Sequence, residues 1–251
     1  MILALETATS ACSVAVATAD GLVLAETVAA AGPAHTRRLL ADTHHALSMA
    51  GADLADIDAV IVGLGPGTFT GLRIGIATAR ALAQATGAAL RGVPTLATLA
   101  LALAEGDAAA KARALVPLID GKRGEVFAAC YCRAAGYAAR TPPDAFAGPL
   151  LEVVRDLSVL PAAELQDFLA SWPSAVVGGD GAHLYAAELP ASAHLARAVV
   201  WPTAGMTVRA WHVGVPGIVL AADDVLPLYG RAPDAVRWTE RARRTAPENR
   251  R

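Results

Sequence analysis

Strand, carboxylate, tight turn, returning strand: this succession occurs twice in the chain, 114 positions apart, and limits the fold more than any other feature. Leu3-Ala4-Leu5-Glu6-Thr7 is an aliphatic run ending in an acid and a small polar turn, with a second apolar run at Cys12–Ala17. Pro117-Leu118-Ile119-Asp120-Gly121 repeats it, with the turn Gly121-Lys122-Arg123-Gly124 and the returning run Glu125–Cys132. Such a repeat implies two units of similar build. The 251 residues suffice for two modest units, and a hydrophobic fraction of 55% gives each a core.

Around each hairpin, strands alternate with helices. Leu22–Val28 reads as a third strand. Leu39, Leu40, Thr43, Ala46, Leu47 and Ala50 then recur at helical spacing, with Gly51 as the stop. Ile57–Val62 predicts a strand, residues 70–86 a helix closed by Gly87, Leu90–Val93 a strand and Thr95–Ala104 a third helix. A composition shift at Glu105-Gly106-Asp107 separates a first lobe, 1–106, from a second, 107–230. After its hairpin the second lobe is expected to hold a Pro-rich loop at 141–143, a helix at Pro161–Ala170 and a strand at Ala175–Gly178. A helix at His183–Leu189, a strand at Val199–Trp201 and a helix from Thr203, interrupted at Gly214-Val215-Pro216-Gly217, complete it.

The charge is uneven. Residues 231–251 carry seven arginines and a net charge of +4, leaving −6 on the remainder. This end reads either as a solvated basic tail or as a contact for phosphate. The longest uncharged run, Ala59–Leu72, has 14 residues, whereas a membrane span needs roughly 20. The first six residues lack the basic start of a signal peptide. Cys12, Cys130 and Cys132 form neither a CxxC pair nor a Cys/His cluster, so no disulfide framework or zinc site is expected. A cytoplasmic protein is the expectation.

The most specific stretch is Gly65-Pro66-Gly67-Thr68-Phe69-Thr70-Gly71-Leu72-Arg73-Ile74-Gly75. It is not a Walker loop, because Leu72-Arg73 stands where Lys and a hydroxyl residue are required. It is not a dinucleotide fingerprint, because threonines occupy the third-glycine positions. No nucleophile elbow occurs in the chain. The string can make a sharp turn, cap a helix through Thr68 or Thr70, and let another backbone approach Gly71 and Gly75. Leu72, Ile76, Ala79 and Ala83 then share one helical face, and Arg73 and Arg80 another. That apolar face serves either a second protein or the helix's own lobe.

Two lobes, each opening with a hairpin whose first strand ends in an acid, resemble the actin/Hsp70/sugar-kinase superfamily. There the facing turns hold nucleotide phosphates and a hydrated Mg²⁺. The expected fold class is therefore α/β, two-lobed and actin-like, a duplicated RNase H-like unit. A closer resemblance follows from motifs in order along the chain. They are Met1-Ile-Leu-Ala-Leu-Glu-Thr, His35 leading a helix with Leu39-Leu40, the 65–75 string, Val93-Pro94-Thr95-Leu96, Ile119-Asp120 with Glu125-Val126, and Pro227-Leu228-Tyr229-Gly230-Arg231. Together they resemble the TsaB (YeaZ) family. The resemblance implies a non-catalytic subunit in the threonylcarbamoyladenosine modification of tRNAs reading ANN codons. It also implies pairing with the catalytic paralogue TsaD and work alongside the ATPase TsaE, with tRNA reached only through the complex.

The resemblance further implies a docking surface on the helices His35–Ala50 and Phe69–Arg80, carried by His35, Leu39, Leu40, Thr43, Leu47, Phe69, Leu72, Arg73, Ile76 and Arg80. The same surface on every copy makes a homodimer the competing state, and Leu72→Glu is expected to abolish docking without unfolding the chain. Where TsaD carries two metal-binding histidines, this chain has Thr95 and Leu99, so no metal is expected; ATP and Mg²⁺ belong to the assembled complex. The six histidines elsewhere do not form a ligand set. Glu6, Thr7, Gly65, Gly67 and Asp120 mark a vestigial nucleotide cleft. Glu6-Thr7-Ala8 replaces the family's Asp-Thr-Ser, and Asp120-Gly121-Lys122 its Asp-Ala-Arg. Glu6 and Asp120 read either as a Mg²⁺ pair or as caps of their own turns. Two other function classes remain: a small-molecule kinase or ATPase using both hairpins, and an RNA-binding accessory using the arginine tail.

Overall fold

The computed structural model describes residues 1–30, 35–106, 112–134 and 150–230. The basic stretch 231–251 and the Pro-rich loop at 141–143 lie outside the described residues. The first sheet contains β1 (Ile2–Glu6), β2 (Ala11–Ala17), β3 (Val23–Ala30), β4 (Ala59–Gly63) and β5 (Ala89–Val93), interleaved with α1 (His35–Ala50), α2 (Phe69–Thr86) and α3 (Thr95–Glu105). The second contains β6 (Leu115–Lys122), β7 (Glu125–Arg133), β8 (Leu151–Pro161), β9 (Val176–Gly178) and β10 (His194–Leu195), with α4 (Leu165–Leu169), α5 (Asp180–Leu184) and, last, α6 (Ala204–Val213).

The first sheet runs β3-β2-β1-β4-β5 and the second β8-β7-β6-β9-β10. These are the same topology, offset by five strands. In each, the first three strands form an antiparallel meander and the last two add in parallel. The hairpin repeat in the sequence is therefore the visible part of a whole duplicated sheet, and the chain has the expected two-lobed α/β fold.

Period-two alternation sorts the core into layers. Leu3 and Leu5 of β1 and Val60 and Val62 of β4 face the layer under α1 and α2. Ile2, Ala4 and Ile61 face the opposite layer, where α3 and α6 lie between the two sheets. Leu115 and Ile119 of β6 reach that middle layer from the second sheet. Val116 and Leu118 turn outward toward α4 and α5. Although α6 falls within the stretch read as the second lobe, it packs on the first sheet, where Ala4, Ala15 and Ala17 leave room for it.

The N-terminus of α6 is satisfied from the first lobe. Ala204 N–H donates to Ser13 Oγ at 2.9 Å, Gly205 N–H to Glu26 Oε1 at 2.6 Å, and Met206 N–H to Thr203 Oγ1 at 3.3 Å. One carboxylate and two hydroxyls thus take three of the free donors of the helix start, and the negative charge sits where backbone electrostatics favours it.

Three expectations are corrected. Leu151–Pro161, assigned no element, is an 11-residue strand at the sheet edge. Residues 152–157 are all exposed, so the strand lacks the alternation by which a half-buried one is read from sequence. The strand expected at Val199–Trp201 is absent; the outer parallel partner of β9 is the two-residue His194–Leu195. The helix expected at His183–Leu189 starts earlier, at Asp180, and continues past Leu184 only as a 3-10 turn.

Candidate functional site

Two regions hold the candidate residues: the first hairpin against the glycine string, and the outer face of α1 and α2. In the first, β1 ends in Glu6, whose side chain is 1% exposed. Its Oε1 accepts the Ala8 N–H at 2.9 Å, and its Oε2 the Thr95 hydroxyl at 3.1 Å. Thr95, the first residue of α3, in turn accepts the Gly65 N–H at 3.0 Å. Burial pushes the Glu6 carboxyl up from 4.5 to about 7, against the opposing pull of these hydrogen bonds. Gly63 stands against it because any Cβ there would lie 2.0 Å from Oε2. Glu6 is thus an internal fastener joining β1, β4, the glycine turn and α3.

The glycine string is shaped by the turn it receives. Thr68 N–H donates to the Ala8 carbonyl at 2.7 Å, and the Thr7 hydroxyl donates to the Gly71 carbonyl at 2.9 Å. A Cβ at Gly67 would lie 2.1 Å from the Ala8 oxygen, and one at Gly71 would lie 2.2 Å from the Thr7 oxygen. A third, at Gly75, would meet the Thr7 hydroxyl at 2.1 Å. The close backbone approach expected at Gly71 and Gly75 is present at Gly71, where the chain's own first hairpin supplies it; at Gly75 the approaching group is the Thr7 side chain instead. Thr68 occupies the N-cap position of α2 without a side-chain capping bond; the Ala8 carbonyl meets its own N–H instead.

The second hairpin is built differently. Asp120 accepts the Lys122 N–H at 2.8 Å and the Lys122 ammonium at 2.6 Å, while its own N–H donates to Asp180 Oδ1 at 3.0 Å. Lys122 and Arg123 both adopt left-handed backbone, φ 64° and 58°, to make the tight turn. The hydrogen bond it donates to Asp120 raises the Lys122 ammonium above its ordinary value, and burial raises the Asp180 carboxyl. Glu6 and Asp120 share none of these partners. The donor set does not fit a hydrated Mg²⁺: one carboxyl is enclosed and resists ionisation, and the other is neutralised by its neighbouring ammonium. Both acids cap their own turns.

The docking residues divide sharply. Leu39, Thr43 and Leu47 of α1 and Leu72 and Ile76 of α2 are buried in the chain's own core. Leu72, at 0% exposure, packs on Gly65. The expectation that Leu72→Glu would leave the chain folded is therefore corrected: a charge there enters the core under the glycine turn. Leu40, 62% exposed, faces solvent, and the His35 side chain lies outside the described residues. Sequence spacing identifies the apolar stripe of each helix but leaves its sense open; the resemblance turns it outward, and the structure turns it inward. Between the helices runs an open groove of about 440 Å³ lined by Leu40, His44, Ser48, Leu54 and Leu82 among others. Four of these five escaped notice because none belongs to the apolar stripe.

Phe69, Arg73 and Arg80 meet residues 225–229, which return from the end of the second lobe. Arg80 donates to the Val225 carbonyl at 3.1 Å, Arg73 Nε donates to the Tyr229 hydroxyl at 3.0 Å, and the Phe69 and Tyr229 rings stack with centroids 5.2 Å apart. Leu228 N–H donates to the Leu64 carbonyl at 2.8 Å, fixing the strap beside the glycine turn. The proline-containing stretch Pro227–Gly230 thus belongs to the surface of α2.

Among the described residues no group of three or more His, Cys, Asp and Glu side chains could hold a metal ion, and no helix is long and apolar enough to cross a membrane.

Comparison with known proteins gives consistent matches. The family model described as TsaD, tRNA N6-adenosine threonylcarbamoyltransferase, matches residues 26–167. The tRNA threonylcarbamoyladenosine biosynthesis protein TsaB of Escherichia coli is 42% identical over 132 residues, 53% of this chain and 55% of that protein. TsaB of Bacillus subtilis is 29% identical over 143 residues, 57% of this chain and 60% of its own length. The chain thus spans little more than half the length of the curated TsaB relatives it matches. Among solved structures, YeaZ from Pseudomonas aeruginosa superposes with a TM-score of 0.69 at 29% identity, covering 91% of this chain and 98% of that one.

Proposed function

The chain belongs to the TsaB (YeaZ) family of tRNA threonylcarbamoyladenosine biosynthesis proteins, and on that basis we propose that it is a non-catalytic subunit that docks on the catalytic paralogue TsaD. In this reading it works with the ATPase TsaE on tRNAs reading ANN codons, and nucleotide is handled by the assembled complex. The observation that carries the reading is what the chain does with the positions where a catalyst would hold its reacting groups. Thr95 is bonded to Glu6, and Leu99 is buried in the middle layer. Both hairpin acids are committed to internal partners. These positions supply cohesion, and a surface is what remains for function. The open groove between α1 and α2, rimmed by Leu40, Ser48 and Leu82, supplies an apolar seat for a partner helix.

Leu40→Glu tests this. The side chain is exposed, so thermal stability should stay within about 0.5 kcal/mol of wild type, whereas affinity for TsaD in calorimetry should fall at least tenfold. Unchanged affinity, measured on folded protein, would refute the assignment of the groove. Sedimentation of the same variant distinguishes self-pairing, since a homodimer on this face would dissociate in parallel.

A further inference from the structure

We propose that Glu6 is a proton-controlled latch on the glycine turn: with its proton it holds Gly63–Gly65 against β1 and α3, and without it the turn loosens and the strap 225–229 loosens with it. The hydrogen-bond partners of the carboxyl are all neutral, the Thr7 and Ala8 N–H groups and the Thr95 hydroxyl. Thr95 grips the turn twice. Its hydroxyl accepts the Gly65 N–H at 3.0 Å, and its own N–H donates to the Gly65 carbonyl at 2.9 Å. One residue back, the Leu64 carbonyl accepts the Leu228 N–H at 2.8 Å. A continuous line of contacts thus runs from a carboxyl under the sheet end to the surface beside α2.

An ionised Glu6 is a charge at 1% exposure, with no counter-ion in contact among the described residues, and water must enter to relieve it. Its surroundings decide where. β2 and β4 are tied to β1 by their ladders, and α3 is buried along most of its length. The turn after β4 is loop backbone, and Gly65 and Gly67 give it no side chains for anchorage, so it yields first. The other charged and titratable groups around the carboxyl are engaged elsewhere. On β2, burial pushes the Cys12 thiol up to about 11, and on α1 Asp42 is paired with Arg38. On β3, Glu26 accepts from the Ser13 hydroxyl and the Gly205 N–H; Arg209 of α6 pairs with Glu105 of α3; Arg73 of α2 turns outward to Tyr229. β4 presents only Gly63 to the carboxyl. Burial holds Glu6 itself up at about 7, so the latch changes state near neutrality. A carboxyl that titrates at about 7 when enclosed and at 4.5 when wetted makes the loosened turn roughly 70-fold more populated, relative to the closed one, at pH 8 than at pH 5.

The test is amide NMR of the full chain from pH 5 to pH 8. The Ala8, Gly65 and Leu228 resonances should shift together, with one midpoint near 7. Exchange of the Leu228 amide with solvent, corrected for its intrinsic rate, should accelerate roughly 70-fold over that range and stay faster than the slowest amides of β6 throughout. Glu6→Gln, neutral at every pH, should abolish both effects. Thr95→Val breaks the link without touching the carboxyl: Ala8 should still titrate, while Gly65 and Leu228 should cease to follow. Thr95→Ser keeps the hydroxyl and should restore the coupling; this pair also serves where Glu6→Gln does not fold. Shifts confined to Ala8 and Thr95 would mean that the carboxyl ionises in place, and would overturn the proposal. So would Leu228 exchange no faster than the slowest amides of β6, which marks opening by global unfolding alone, or an unchanged Leu228 titration in Glu6→Gln or Thr95→Val.

Discussion

Glu6 makes the stability of this protein depend on pH in the direction opposite to most carboxylates. Its carboxyl rises from an ordinary 4.5 to about 7 on folding because burial removes it from water. The folded state therefore holds the proton more tightly than the unfolded chain. Below pH 4.5 both states are protonated and nothing is lost. Between 4.5 and 7 the unfolded chain ionises first, and stability falls as pH rises. Well above 7 the loss is complete, and 2.5 pH units at about 1.4 kcal/mol each give about 3.5 kcal/mol, of which about 3 kcal/mol falls between pH 4.5 and 8. Glu6→Gln isolates this contribution. Its carbonyl can still accept the Ala8 N–H, while the amide facing Thr95 reverses the direction of that hydrogen bond, a cost that does not vary with pH. The stability difference between variant and wild type should therefore shift by about 3 kcal/mol in favour of the variant from pH 4.5 to 8. Urea unfolding followed by tryptophan fluorescence at intervals of pH gives that curve. A difference that stays flat to within about 0.5 kcal/mol would refute the buried, proton-retaining carboxyl.

Leu72→Ala removes a fully buried side chain that packs on Gly65, so it should cost about 3–4 kcal/mol in denaturant unfolding, and Leu72→Glu should yield no folded protein. Glu26→Gln leaves the Gly205 N–H with a neutral acceptor and removes the negative charge from the start of α6; a loss of about 1 kcal/mol is expected by the same measurement.

The first eight elements could be read from sequence because each carried its own period and its own stop: Gly51 and Gly87 end α1 and α2, and the β1–β2 pair is local. The duplication was legible for the same reason, since a hairpin repeats as a compact string. What escaped depends on distant contacts. Glu26 on β3 caps a helix 179 residues later, and no local pattern marks it for that role. Val225 enters the first lobe's core from the acidic turn Ala222-Asp223-Asp224, where one valine has no period. In β8, Arg155 stands 4.5 Å from the centre of the Phe168 ring, so a residue that spells surface in sequence covers an aromatic in the fold. The outward or inward sense of Leu72 and Ile76 was undetermined because an apolar stripe serves a sheet and a partner equally. Only the glycines beneath Thr7 and Ala8, once placed, fix the rotation of α2.

The return of α6 and Val225 to the first sheet has a consequence for how the protein comes into being. Ala4, Ala15 and Ala17 on one side, and Leu3, Leu5 and Val62 on the other, leave the ribosome well before residues 204–225. The cover for the former is residues 204–213, and Val225 joins the layer that holds the latter. The first sheet thus waits for a segment made about 190 residues after its opening strands to close it, so the two lobes mature together rather than in turn.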